Sequence, residues 1–176
     1  PVAAFRAVVR SLLRSGYGDP NPKNEGITIM ADDTNRPWLL ANRPAGEPSE
    51  NDFEMVKRPL PQPADGEIVA RALYLSLDPY MRGRMNDVKS YANPLQIGEV
   101  INGESAGVIV ESKSSRYKVG DYVTAHRGWQ SVIVTDDSGP GLMKVDLNNG
   151  TLPAPLGVVG RQGRPAFFGL QDRRSG

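Results

Sequence analysis

From Trp38 onward, apolar and polar positions alternate over most of the chain with the period of two that a half-buried strand requires. The longest run is "EIVARALYLSLD" (67–78), introduced by the turn signal Ala64-Asp65-Gly66. In it Leu73, Leu75 and Leu77 share one face, and Tyr74 and Ser76 share the other. "FEMVKRPLP" (53–61) is a short segment ending at prolines, and "AGVIVES" (106–112), "DYVTA" (121–125), "QSVIVTD" (130–136) and "LMKVD" (142–146) are further strand segments. The connections "SKSSRYKVGD" and "DDSGPG" carry the residues that turns demand. Five or six short strands at this spacing predict a mainly-β domain, a small barrel or a sandwich. Helix is expected only near the two ends. At the N-terminus, Val2, Phe5, Val9, Leu12 and Leu13 of "PVAAFRAVVRSLLRSGY" fall on one helical face, flanked by Arg6, Arg10 and Arg14.

That leader has no acidic residue before Asp19, a composition shared with organelle presequences. A plainer explanation starts from Met30, which opens "MADDTNRPWLLANRP" as a natural start would. Residues 1–29 would then be upstream translated sequence or an added leader, and they are left out of the fold reasoning. The expected organisation is an extension over 1–34, one domain over 35–156 and a connector over 157–176. A cytoplasmic location is the default expectation, with an organelle as the alternative should residues 1–17 act as a presequence.

Composition narrows the chemistry. The chain has 176 residues, enough for one well-cored domain but too few for two full-size lobes. Its 21 basic and 20 acidic side chains leave a formal charge of +1, which asks for neither nucleic acid nor an anionic membrane as partner. There is no cysteine, which removes disulfides, thiolate nucleophiles and sulfur ligands together. The single histidine, His126, is too little for a catalytic zinc site, which normally draws three ligands from His, Cys and acidic side chains.

Two glycine and serine patterns lead nowhere. In "GVVGRQG", Gly157, Gly160 and Gly163 are spaced by three, and proline-rich "LPAPL" precedes them where a dinucleotide fingerprint needs a strand. A connector with close backbone packing is the expectation there. "GES" (103–105) is not the G-x-S-x-G elbow of a nucleophilic serine. The pairs Asp32-Asp33 and Asp136-Asp137 sit in polar, turn-rich sequence and are expected to be solvated loop residues.

More is asked by "LYLSLDPYMRGRMND" (73–87), where a strand pattern gives way to an Asp-Pro turn, a tyrosine and two arginines. Pro79 fixes its own φ and biases Asp78 toward extended backbone, making a stiff corner that aims Tyr80 in one direction. A phenol with its ordinary pKa near 10 stays protonated at pH 7 and can donate to a carbonyl or a developing enolate. The residues alone leave open a purely structural role, in which Tyr80 and Met81 pack while Arg82 and Arg84 hold surface carboxylates.

Together with "SYANPLQIGEVINGESAGVIVES", "YKVGDYV" and "GWQSVIV", this run resembles the N-terminal half of the zinc-independent medium-chain dehydrogenases/reductases, over about Asn35 to Leu170. The branch is that of prostaglandin reductase, alkenal double-bond reductase and curcumin reductase. The resemblance implies a chaperonin-10-like (GroES-like), partly open β-barrel as catalytic lobe, beside a Rossmann lobe that carries NADPH. It implies hydride transfer to the β-carbon of α,β-unsaturated aldehydes and ketones, a small-molecule substrate, and homo-oligomers among full-length members. Where zinc-dependent cousins have G-H-E-x-x-G, this chain reads "NGESAG", with Gly103 at the histidine position and Glu104 and Gly107 retained.

By the same resemblance, Tyr80 lines the cleft near the nicotinamide and the substrate carbonyl, with Met81 and Tyr91 walling an apolar pocket. Pro79 and Tyr80 would be this chain's cofactor contacts. The sequence departs from the family after "LG": Arg161, Pro165 and Phe167 stand where methionine, threonine and tyrosine are usual. The expectation is therefore a catalytic lobe without its cofactor lobe, from a truncated or frameshifted gene or a separately made domain, and inactive alone. A non-enzymatic β-barrel interaction module is the alternative.

Overall fold

The computed structural model describes residues 34–88, 92–157, 160 and 163–172. The predicted leader helix therefore lies outside the described residues. The described residues form two compact units, one drawn from those within 34–61, 77–102 and 128–132, the other from those within 62–76, 103–127 and 133–172.

In the first unit, β1 (Thr34–Asn35) pairs antiparallel with β4 (Arg58–Pro59), and β2 (Trp38–Leu40) with β3 (Phe53–Met55). A 3-10 turn at Glu50–Asp52 leads into β3. Its entry is fixed by Asp52 Oδ2, which accepts from Ser49 N–H at 2.7 Å and Ser49 Oγ at 2.9 Å. Three backbone bonds then close a ring between distant segments. Ile101 N–H donates to Trp38 O (2.9 Å), Trp38 N–H to Trp129 O (2.9 Å) and Trp129 N–H to Ile101 O (2.8 Å). Around it Leu40, Ile101 and Trp129 are fully buried, and the Trp129 ring lies 6.1 Å from that of Phe53. Asn35 ties the ends together, donating to Gln130 Oε1 at 2.8 Å and accepting from Val132 N–H at 3.1 Å.

The second unit is a five-stranded sheet in the order β8-β5-β6-β7-β9, where β5 is Glu67–Leu75, β6 Ser105–Ser112, β7 Tyr122–Ala125, β8 Val132–Asp136 and β9 Met143–Lys144. These are the strands the alternation predicts, with β5, β7, β8 and β9 trimmed at their ends and β6 starting one residue earlier. The sheet's core cluster draws on the alternate positions in the first half of β5, although Leu73 is buried as well. It is formed by Ile68, Ala70 and Ala72 with Ile109, Tyr117, Val123, Ala125 and Ile133. A register shift follows Ala72: it faces Gly107 and Tyr74 faces Ala106, so one extra residue of β5 is bulged out at Leu73 and the phase of the strand reverses. Leu77 is left 44% exposed.

Gly107 shows how closely β5 and β6 approach. A Cβ there would lie 2.0 Å from the carbonyl oxygen of Arg71, which no side chain tolerates. At the sheet edge, Lys144 Nζ on β9 reaches Asp121 Oδ1 at 2.6 Å, just before β7. That bond, together with Lys118 N–H on the same carboxylate, holds the Asp121 pKa below the usual range although partial desolvation works against it.

Two helices complete the described structure, α1 (Pro79–Arg84) and α2 (Gly163–Asp172). The second fits the expectation of helix near the C-terminal end. The first was not expected, because Asp78-Pro79 reads as a turn. Asp78 is extended and Pro79 opens the helix at its first position, where a missing N–H costs nothing. None of the helices among the described residues is long and apolar enough to cross a membrane.

Candidate functional site

The chemistry predicted for Tyr80 sits on the first turn of α1. β5 ends where Ser76 N–H donates to Glu104 O at 2.8 Å, and three residues later the helix begins. Asp78 N–H meets Met81 Sδ at 3.5 Å and Met81 N–H donates to Asp78 O at 3.1 Å, closing the first turn. Met81 and Met85 are each 1% exposed, so α1 is anchored by two thioethers on its inner side. Tyr80 is half-buried, and its phenol oxygen is withdrawn from solvent. Pro79 is exposed beside it. Tyr91, the other pocket residue named from the sequence, lies outside the described residues.

Arg82 holds no carboxylate among the described residues. Arg82 donates to backbone carbonyls, reaching Gly46 O through Nε at 2.9 Å and Nη2 at 2.6 Å, and Pro44 O through Nη2 at 3.0 Å. Its Nη1 meets Asn86 Oδ1 at 2.6 Å. The structural alternative read from the sequence is corrected for this residue. The fork of a guanidinium suits several convergent carbonyl oxygens, and those of the loop before the 3-10 turn supply them. Arg84 contributes its carbonyl, which accepts from Leu95 N–H at 2.8 Å.

Asn102 is a residue that the sequence reading passed over. It follows Ile101 in the backbone ring, and both its Nδ2 and Oδ1 are buried with no hydrogen-bond partner among the described residues. Leaving such groups unmatched costs about 1–3 kcal/mol each, so a donor and an acceptor side by side here suit a ligand. The only sequence signal was a lone amide among the residues of "EVINGESAG".

The residues singled out for metal or phosphate have ordinary places. Glu104 is buried with its carbonyl in the β5–β6 ladder, and His126 is half-buried, its N–H donating to Pro140 O at 3.3 Å. No group of three or more His, Asp or Glu side chains that could hold a metal occurs among the described residues. Gly160 packs so closely on Pro155 that a Cβ would lie 1.6 Å from its carbonyl oxygen, the close backbone packing expected of a connector.

The family model described as the N-terminal domain of oxidoreductase matches residues 36–145. The chain belongs to this family. It is 41% identical over 138 residues to the NADPH-dependent curcumin reductase of Escherichia coli, covering 78% of this chain and 39% of that one. It is 38% identical over 138 residues to prostaglandin reductase 1 of Bos taurus, covering 77% and 39%. Among solved structures, CurA from Vibrio vulnificus in complex with NADPH aligns with a TM-score of 0.70 at 42% identity, over 78% of this chain and 40% of CurA. The chain thus spans 39% of the length of these curated relatives. The mainly-β architecture expected from the alternation is that of the GroES-like N-terminal domain in the medium-chain dehydrogenase/reductase superfamily, to which these relatives belong.

Proposed function

We propose that this oxidoreductase domain is the catalytic lobe of an NADPH-dependent reductase that saturates the carbon–carbon double bond of α,β-unsaturated aldehydes and ketones. The observation that carries the reading is the placement of Tyr80, a phenol on the first turn of a helix pinned by two buried methionines. NADPH, when bound, supplies a hydride to the β-carbon of the substrate. Tyr80 then holds a hydrogen bond on the carbonyl oxygen as the electron pair of the double bond moves onto it, and a solvent proton completes the α-carbon. Met81, 1% exposed, supports α1 from its inner side instead of walling the substrate.

In this reading Pro79 and Tyr80 would meet the reactive end of the cofactor, and its phosphates would be held elsewhere. Among the described residues a 3-10 turn at Ala154–Leu156, and not a strand, leads into Gly157, which supports reading this segment as a connector and not as a phosphate turn. Titrating the chain with NADPH and following nicotinamide fluorescence should therefore give no saturable binding below about 1 mM. Micromolar binding would overturn the idea that cofactor affinity resides in another lobe. A chimera in which this chain replaces the matching 40% of CurA should oxidise NADPH when an enal is added. A folded chimera that binds NADPH without turnover would favour the alternative, an interaction module, for which the exposed Phe167, Phe168 and Leu170 of α2 are the supporting feature.

A further inference from the structure

Two arginines from different segments of the first unit grip each other's backbone. Arg82, on α1, donates to Pro44 O and Gly46 O in the loop after β2. Arg43, in that loop, donates in return to Met85 O at the end of α1 (2.9 Å) and to Leu95 O (3.1 Å). Its Nη2 lies 3.3 Å from Asp87 Oδ1, which draws the same guanidinium toward the helix end. The guanidinium of Arg43 thus sits where the C-terminal carbonyls of α1 concentrate partial negative charge, a favourable place for a cation. We propose that Arg43 and Arg82 are a reciprocal clamp that fixes the orientation of α1, and so act as positioning residues for Tyr80. This rests on the reading of Tyr80 given above.

The physical need for a clamp is clear from the helix itself. α1 has six residues, Pro79–Arg84, far short of the length at which a helix holds its shape alone. Its interior includes Gly83, which weakens it further. Met81 and Met85 fix one side, but thioethers are flexible and specify orientation poorly. Directional bonds from planar guanidinium groups at both ends of the arrangement supply what the methionines lack. Loss of either arginine should free α1 to rotate about its methionine anchor, carrying Tyr80 with it. A misplacement of about 1 Å in a donor is enough to cost on the order of 100-fold in rate.

The test uses the whole chain carrying 3-fluorotyrosine, read by fluorine NMR, with the Tyr80 line assigned by its disappearance in Tyr80→Phe. Arg82→Lys and Arg43→Lys keep the charge but cannot reproduce the fork. The expected result is that each moves or broadens the Tyr80 line while those of Tyr74, Tyr117 and Tyr122, all in the second unit, stay where they were. An unmoved Tyr80 line in both variants would overturn the proposal, and so would a common shift or collapse of all four lines, which marks a general stabiliser. No turnover enters the measurement, so a failed clamp leaves the role of Tyr80 to be judged by kinetics, and the reverse.

Discussion

In the CurA chimera, Tyr80→Phe is expected to lower kcat about 100-fold while KM changes little, because the lost hydrogen bond is one that strengthens only as charge develops on the carbonyl oxygen. Such a loss corresponds to about 2.7 kcal/mol of transition-state stabilisation, within the range found when a single preorganised donor is removed. Phenylalanine preserves the ring, so α1 should keep its seat on Met81 and Met85. A kcat within threefold of the parent would show that the phenol only packs. Steady-state rates of NADPH oxidation across a range of enal concentrations separate these results.

The second large effect is on stability. Trp129 is fully buried, faces Phe53 at 6.1 Å, and its backbone closes the ring with Trp38 and Ile101. Trp129→Ala is expected to cost about 3–5 kcal/mol through the cavity it leaves. Against the roughly 5–15 kcal/mol available to an ordinary domain, this is about a fifth or more of the total. In urea denaturation followed by circular dichroism, the midpoint should fall by about 2 M. A fall of less than about 0.5 M would mean that the first unit is not organised around this side chain.

Much of this fold can be read directly from the sequence, because period-two alternation and turn residues report strand positions without reference to their partners. β5, β7, β8 and β9 fall inside the predicted segments for that reason, and β6 starts one residue earlier. Which face each strand buries is harder. At Leu73 a bulge, set by pairing with β6, reverses the phase of the most regular run in the chain, and nothing local announces it. Helix α1 had a signal, Asp-Pro at its start, but six residues are too few to show a helical period, and the dipeptide equally suits a turn.

Tyr80 could be singled out in the sequence as a candidate donor because proline stiffens the residues beside it. The partners of Arg82 were not, since they are backbone oxygens of Pro44 and Gly46, 38 and 36 residues away, and carbonyl groups carry no sequence signature. Arg43 and Asn102 escaped notice for the same reason: their importance arises from what surrounds them in the folded unit. The family assignment rests on motifs in order, and the match to residues 36–145 bears it out.

The proposed chemistry is tested most directly by the fate of the transferred hydrogen. The chimera would be supplied with NADPH carrying deuterium at the transferable position and an open-chain enone, and the product analysed by proton NMR and mass spectrometry. The expected product is the saturated ketone with one deuterium on the β-carbon. An allylic alcohol with deuterium on the former carbonyl carbon would contradict the assignment of this lobe to double-bond reduction, as would unlabelled product.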